Sequence, residues 1–312
     1  MPTAFLFPGQ GSQRVGMGTT LAGHPAAADV FAAVDDALGR PLSRLMADGP
    51  EPELTLTRNA QPALLAVSIA AVRVLEAELG RPLSAVCDVV AGHSLGEYTA
   101  LTAAGAFDVA TAARLLQLRG DAMQAAVPVG AGGMAALIGL DVERVAGIVA
   151  RVDGVVDIAN DNADGQVVVS GDRAAVDAAV AAARDAGARR VTVLPVSAPF
   201  HCRLMRPAAE RMAAALAEVA IAPPAMPVVA NVTAEGLTDV DAVRAALIDQ
   251  VCGRVRWRET MAALAAAGVD RVVEAGAGKV LAGLAKRGVP GATVMNLETT
   301  DDVVAVAAAL AG

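Results

Sequence analysis

The residue pattern best suited to covalent chemistry is Gly92-His93-Ser94-Leu95-Gly96, a serine with glycine two positions to either side. A hydroxyl that attacks a carbonyl carbon must project from a sharp turn, and glycine at those positions removes the Cβ atoms that would clash there. A serine in such a turn also stands at a helix N-terminus, where unpaired N–H groups and the helix dipole stabilise developing negative charge. The bare pentapeptide fits an ordinary glycine-rich turn with an idle serine just as well. The flanks separate the two readings, because 86–91 reads as a buried strand and 96–104 as a helix directly behind it.

A serine hydroxyl is a poor nucleophile near neutral pH and needs an adjacent base. The chain holds three histidines. His24 lies in Gly-His-Pro, which reads as a surface turn, and His93 adjoins the serine, where elbow geometry points neighbours away. His201, in Ser-Ala-Pro-Phe-His-Cys, follows a predicted strand at the point where the chain is expected to re-enter its larger unit, a setting that suits a catalytic loop. By position alone, a satisfied structural histidine is the commoner outcome.

The elements that must position these groups follow from periodicity. Residues 4–7 form a short apolar run closed by Pro8-Gly9, a buried first strand feeding the loop Gly9-Gln10-Gly11-Ser12-Gln13. A helix is predicted over 61–79, stopping at Gly80-Arg81-Pro82. The uncharged run from 122 to 140 is broken by Pro128, Gly130, Gly132 and Gly133, and reads as a loop entering a strand rather than a membrane span. Between 132 and 195 the order is strand, helix, strand, strand, helix, strand, the split unit of a ferredoxin-like domain. Strands at 227–231 and 271–274 and helices at 207–219, 240–252 and 259–267 follow. Alternating strands and helices imply a parallel, helix-covered sheet. The expected fold is α/β: a parallel-sheet large unit formed by 1–128 and 198–312, with an inserted ferredoxin-like βαββαβ unit at 129–197.

Composition bounds the function. The chain has 312 residues, 55% of them hydrophobic, enough for a sizeable core. Aromatics at 2% and a formal charge of −8 argue against nucleic-acid partners, which need stacking platforms and clustered cations. Cys87, Cys202 and Cys252 are too scattered for a disulfide framework or a CxxC site. The N-terminus lacks the basic flank and apolar length of a signal peptide, so a cytoplasmic setting with no membrane association is expected. Gly276-Ala277-Gly278-Lys279 has the outline of a phosphate loop, but Val273 and Val280 stand where Gly and Ser or Thr are needed. No HExxH occurs, and no metal site is expected.

Five dispersed motifs carry a resemblance: Gly9 to Gln13; Gly92 to Glu97; Gln117-Leu118-Arg119-Gly120 with Met123-Gln124; Ser197 to His201; and Asn231 with Gln250. In order and separation they resemble the malonyl-CoA:acyl carrier protein transacylases, nearly end to end from Phe5 to Leu281. The resemblance implies a hydrolase-like large subdomain and a cleft between it and the small one. It implies Ser94 as the acylated nucleophile and His201 as the general base. His201 would be oriented by the backbone carbonyl of Gln250 in place of a carboxylate. The implied oxyanion hole is the N–H groups of Leu95 and Gln10. Arg119 is implied as the bidentate partner of the malonyl carboxylate. Gln61 and Asn162 match positions near the cleft, and Phe200 resembles the residue of malonyl-selective acyltransferase domains of polyketide synthases.

The implied substrate is malonyl-CoA, with no bound cofactor, and the implied acceptor is an acidic acyl carrier protein. Arg203, Arg206, Arg254, Arg256, Lys286 and Arg287 are candidates for a basic rim that meets it. A monomer is expected. The same chemistry would serve a malonate decarboxylase transferase subunit or a polyketide acyltransferase, and a thioesterase-like hydrolase is the competing reaction class.

Overall fold

The computed structural model describes residues 1–311. Strand β1 (Thr3–Phe7) is wholly buried and is followed by helices α1 (Pro25–Leu38), α2 (Leu42–Asp48), α3 (Glu51–Thr55) and α4 (Thr57–Leu79). Strand β2 (Val89–Gly92) then leads into α5 (Gly96–Ala103) and α6 (Val109–Ala126). A second group comprises β3 (Gly132–Ile138), α7 (Val142–Val149), β4 (Val156–Ala163), β5 (Gln166–Asp172), α8 (Arg173–Asp185) and β6 (Arg190–Val193). The chain continues through α9 (Arg206–Glu218), β7 (Val228–Val229), β8 (Gly236–Leu237), α10 (Val240–Gln250) and α11 (Trp257–Ala266). It ends with β9 (Arg271–Ala275), α12 (Val280–Gly288), β10 (Thr293–Leu297) and α13 (Thr300–Ala311).

The large sheet runs β10-β9-β1-β2-β7-β8, parallel throughout except for the short antiparallel β7–β8 pair at one edge. Side chains alternate across a strand, so β1 supplies both covering layers: Phe5 and Phe7 enter one apolar core, Ala4 and Leu6 the other. Phe7 lies opposite Gly92, and Leu6 lies opposite both Ala91 and Glu274. The carboxyl ends of β1, β2 and β9 therefore sit side by side, the edge where open α/β sheets place their ligands.

The smaller sheet is antiparallel in the order β4-β5-β3-β6, with α7 and α8 packed on it around Leu137, Val145, Val169 and Val176. This is the βαββαβ arrangement expected from the pattern. It is stitched to the large unit along β4: Asn160 bridges Val255, the Asp161 N–H donates to the Val255 carbonyl at 2.9 Å, and Arg258 pairs with the buried Asp161 at 2.9 Å. Those contacts point the Asn160–Asn162 stretch at the cleft.

Several boundaries differ from expectation for local reasons. Helix α4 starts at Thr57 rather than 61, because Pro62, which cannot donate an N–H, sits within the early turns and does not open the helix. His24 is the N-cap of α1, its Nδ1 accepting from the Ala26 N–H, with Pro25 at the first helical position. The strand expected over 227–231 ends at Val229, because Asn231 turns its polar groups toward the elbow.

Candidate active site

The turn from β2 into α5 is the elbow that the glycines imply. A Cβ at position 92 would stand 1.8 Å from the Gly96 carbonyl oxygen, and one at 96 would stand 2.3 Å from that of Phe7. Ser94 itself has φ 55°, a left-handed conformation costly for a residue with a Cβ. Asn231 secures it: its Oδ1 accepts the Ser94 N–H at 2.7 Å and its Nδ2 donates to the Gly92 carbonyl at 2.7 Å.

His201 arrives from the loop after β6, also with a positive φ of 58°, and its Nε2 lies 2.7 Å from Ser94 Oγ. Its Nδ1 is 2.9 Å from the Gln250 carbonyl and 3.2 Å from that of Gly253. Carbonyls only accept, so Nδ1 carries the proton and Nε2 is left as the acceptor facing the hydroxyl. Burial, reinforced by the Arg119 charge, pushes the imidazole down to about 3. The base therefore stays neutral until pH falls toward that value. Because the unfolded chain binds this proton first, the same shift lowers stability as pH drops from about 6.5 toward 3. An NMR titration of the His201 ring is expected to show a neutral, Nδ1-protonated imidazole from about pH 8 to 5; a midpoint near the ordinary value would contradict this environment.

Arg119, on α6, is buried and, among the described residues, forms no ion pair with a carboxylate. Its Nη1 donates to Gln61 Oε1 at 2.9 Å, while its Nη2 donates to Gln250 Oε1 at 2.9 Å and to Ser94 Oγ at 3.2 Å. The Tyr98 ring lies 5.9 Å from the guanidinium carbon. Its direct hydrogen-bond partners are all neutral oxygens, and the nearest carboxyl, Glu97, acts on it only through space, so an anionic group brought within hydrogen-bond reach is strongly favoured.

Ser94, His201, Arg119, Gln61, Asn162 and Phe200 line one cavity of about 560 Å³ between the two units, together with Gln10 and Leu95. Gln250 lies behind His201 and Arg119 rather than in the cavity wall. Among the described residues, neither the Gln10 nor the Leu95 N–H has a hydrogen-bond acceptor, as an oxyanion hole requires. Thr57 donates to the Gln10 side chain at 3.0 Å and steadies that loop.

Sequence reasoning left three features unassigned. His93 is half-buried at the cleft, its Nε2 2.9 Å from Asn162 Oδ1, so it ties the elbow to the small unit instead of pointing away. Asn231 and Glu97 were legible only as motif residues, with no role attached to either. The basic rim also shrinks: Arg203 pairs with Asp157, and Arg254 and Arg256 pair with Glu259. Arg206, Lys286 and Arg287 have no ion-pair partner among the described residues.

Comparison with known proteins agrees with this geometry. Residues 4–301 match the acyl transferase domain family. The malonyl CoA-acyl carrier protein transacylase of Escherichia coli K12 is 46% identical over 287 residues, covering 91% of this chain and 92% of the relative. The solved acyl-carrier-protein-S-malonyltransferase of Bartonella henselae superposes with a TM-score of 0.97 at 50% identity, covering 100% of both chains. A malonyl-transacylase solved in complex with a type II PKS acyl-carrier protein superposes with a TM-score of 0.95 at 41% identity, over 99% of this chain and 100% of that one. With the serine, its histidine and the buried arginine meeting in one cleft, and with likeness of this extent in sequence and structure, the chain belongs to the malonyl CoA-acyl carrier protein transacylase family.

Proposed function

We propose that this protein moves a malonyl group from malonyl-CoA to the phosphopantetheine thiol of an acyl carrier protein, by way of a malonyl ester on Ser94, and so supplies fatty-acid elongation. Ser94 Oγ attacks the thioester carbon as its proton passes to His201 Nε2. The carbonyl oxygen gains negative charge and is received by the Leu95 and Gln10 N–H groups. Collapse breaks the C–S bond, and the proton on Nε2 goes to the departing CoA sulfur. The carrier thiol then gives its proton to Nε2, attacks the ester carbon, and Ser94 Oγ leaves with that proton. Each transfer is assigned to a group of the chain itself.

His201 is a weak base because burial and the Arg119 charge disfavour its protonated form. That is sufficient here, since a thioester is already activated and the proton need only be lent. The observation that carries the malonyl assignment is Arg119, buried, with neutral oxygens as its hydrogen-bond partners among the described residues and with Nη2 3.2 Å from the nucleophile. Acylation turns Ser94 Oγ into an ester oxygen, a poorer acceptor, and releases that N–H to the malonyl carboxylate.

For the acceptor, Arg206, Lys286 and Arg287 are the rim cations left to meet an acidic carrier, and the solved complex of a family member with a carrier protein supports the pairing. Intact-protein mass spectrometry tests the whole scheme. Malonyl-CoA is expected to label the protein once, acetyl-CoA far less, and added carrier protein to discharge the label. Label lost to water equally fast without carrier would mark a hydrolase instead.

A further inference from the structure

Glu97 is buried and takes no part in the cleft wall. A carboxylate enclosed in this way is retained only if specific donors compensate its lost hydration. Its Oε2 accepts two hydrogen bonds, from the Asn231 N–H at 2.9 Å and from Gln250 Nε2 at 2.8 Å. The second Nε2 hydrogen of Gln250 goes to the Ser94 carbonyl, also at 2.9 Å. Both amide hydrogens thus meet oxygens that only accept, and the carboxamide oxygen is left facing Arg119 Nη2.

The reverse orientation is excluded on both sides. It would set an NH2 group against a guanidinium that has only donors, and a carbonyl oxygen against a carboxylate and a second carbonyl. The main chain of Gln250 meanwhile holds His201 through its carbonyl. One residue at the end of α10 therefore serves two groups: its backbone orients the base, and its side chain orients the arginine. Only the side chain depends on Glu97. Burial pushes the Glu97 carboxyl up to about 7, opposed by the Asn231 and Gln250 hydrogen bonds and by the Arg119 charge.

We propose that Glu97 is a positioning residue for acyl selectivity: by locking the Gln250 carboxamide with its oxygen toward Arg119, it holds the guanidinium in the plane that receives the free carboxylate of the acyl donor. This rests on the malonyl-transfer reading. It also separates Glu97's two bonds. The bond to Asn231 supports the elbow and serves every acyl group, whereas the bond to Gln250 serves only donors that need Arg119.

The test compares kcat and KM for malonyl-CoA and acetyl-CoA, with carrier protein as acceptor, in wild type, Glu97→Met, Glu97→Gln, Gln250→Met and the Glu97→Met/Gln250→Met double variant. Glu97→Met is expected to lower the malonyl-over-acetyl ratio of kcat/KM about tenfold or more, chiefly through a raised KM for malonyl-CoA. Glu97→Gln, whose carbonyl oxygen can take both N–H bonds, is expected to keep the ratio within about threefold of wild type. In that ratio Gln250→Met should match Glu97→Met, and the double variant should be no worse than the poorer single, because for acyl selectivity the two act in series. An unchanged malonyl-over-acetyl ratio in Glu97→Met, whatever common loss the broken Asn231 bond brings, or losses in that ratio that multiply in the double variant, would overturn the proposal. Should Glu97→Met not fold, Gln250→Met decides alone, since an unchanged ratio there removes the relay. A wild type with no malonyl preference would sink the transferase reading itself, and this inference with it, before any variant is compared.

Discussion

Replacing Ser94 with alanine is expected to abolish the covalent malonyl adduct and to lower carrier-protein malonylation by at least about four orders of magnitude. The effect is large because the hydroxyl, its base and the oxyanion donors act as a unit. Once Oγ is gone, His201 Nε2 has nothing to deprotonate at 2.7 Å, and no ester can form for the carrier thiol to attack. The fold should survive. Ser94 is held through its backbone N–H by Asn231 and through its carbonyl by Gln250, and both bonds persist in the variant. An unchanged melting temperature with no adduct by intact mass is the expected pair of results. Malonylation that continues without the hydroxyl would mean direct transfer between thiols and would remove Ser94 from the mechanism.

Arg119→Ala is expected to lower malonyl transfer by roughly 2–4 kcal/mol in transition-state stabilisation, two decades or more in kcat/KM. Acetyl transfer should fall less, or even rise. The asymmetry follows from charge: a malonyl donor brings a carboxylate that must find a cation in a buried cleft, and an acetyl donor does not. Removing the cation has a second consequence for His201, since the Arg119 charge helps hold the imidazole down. The base should become stronger in the variant, which favours the acetyl reaction. Gln61 and Gln250 each lose a donor at 2.9 Å, so some stability is lost as well, and a thermal melt should accompany the kinetics. Equal loss with both donors would make the arginine structural. Arg119→Lys is a useful intermediate, because it restores charge without the planar fork.

How much of this was legible beforehand differs between fold and site. The buried strand, elbow and helix around Ser94 follow from a short apolar run and two glycines, because the clashes that demand glycine are local, between positions 92 and 96. The βαββαβ order between 132 and 193 follows from periodicity for the same reason. The edges of that reading failed where tertiary contacts decide. The strand at β7 is cut short by the polar contacts of Asn231, and three of the six rim cations proved to be paired, Arg203 with Asp157 and both Arg254 and Arg256 with Glu259. Asp157 lies 46 residues from Arg203 and is marked by no spacing rule, whereas Glu259 stands three residues after Arg256 and could have been read from the sequence.

For the site, the family resemblance brought Ser94, His201, Arg119 and Gln250 together as names; the geometry that joins them spans long separations. Ser94 and His201 lie 107 residues apart, and Gln250 lies 156 from Ser94. The sequence by itself determined a serine on a tight strand-to-helix turn, and through the motifs it shares with a known family it implied the base and the cation for an anionic substrate. Only the tertiary structure decided that the imidazole is neutral with Nδ1 protonated, that Arg119 hydrogen-bonds to neutral oxygens instead of a carboxylate, and that Glu97 accepts from the Gln250 amide. The reason is physical. Backbone preferences and hydrophobic periodicity act over a few residues and are written locally, whereas desolvation, hydrogen-bond direction and charge pairing depend on which distant side chains are packed within about 4 Å.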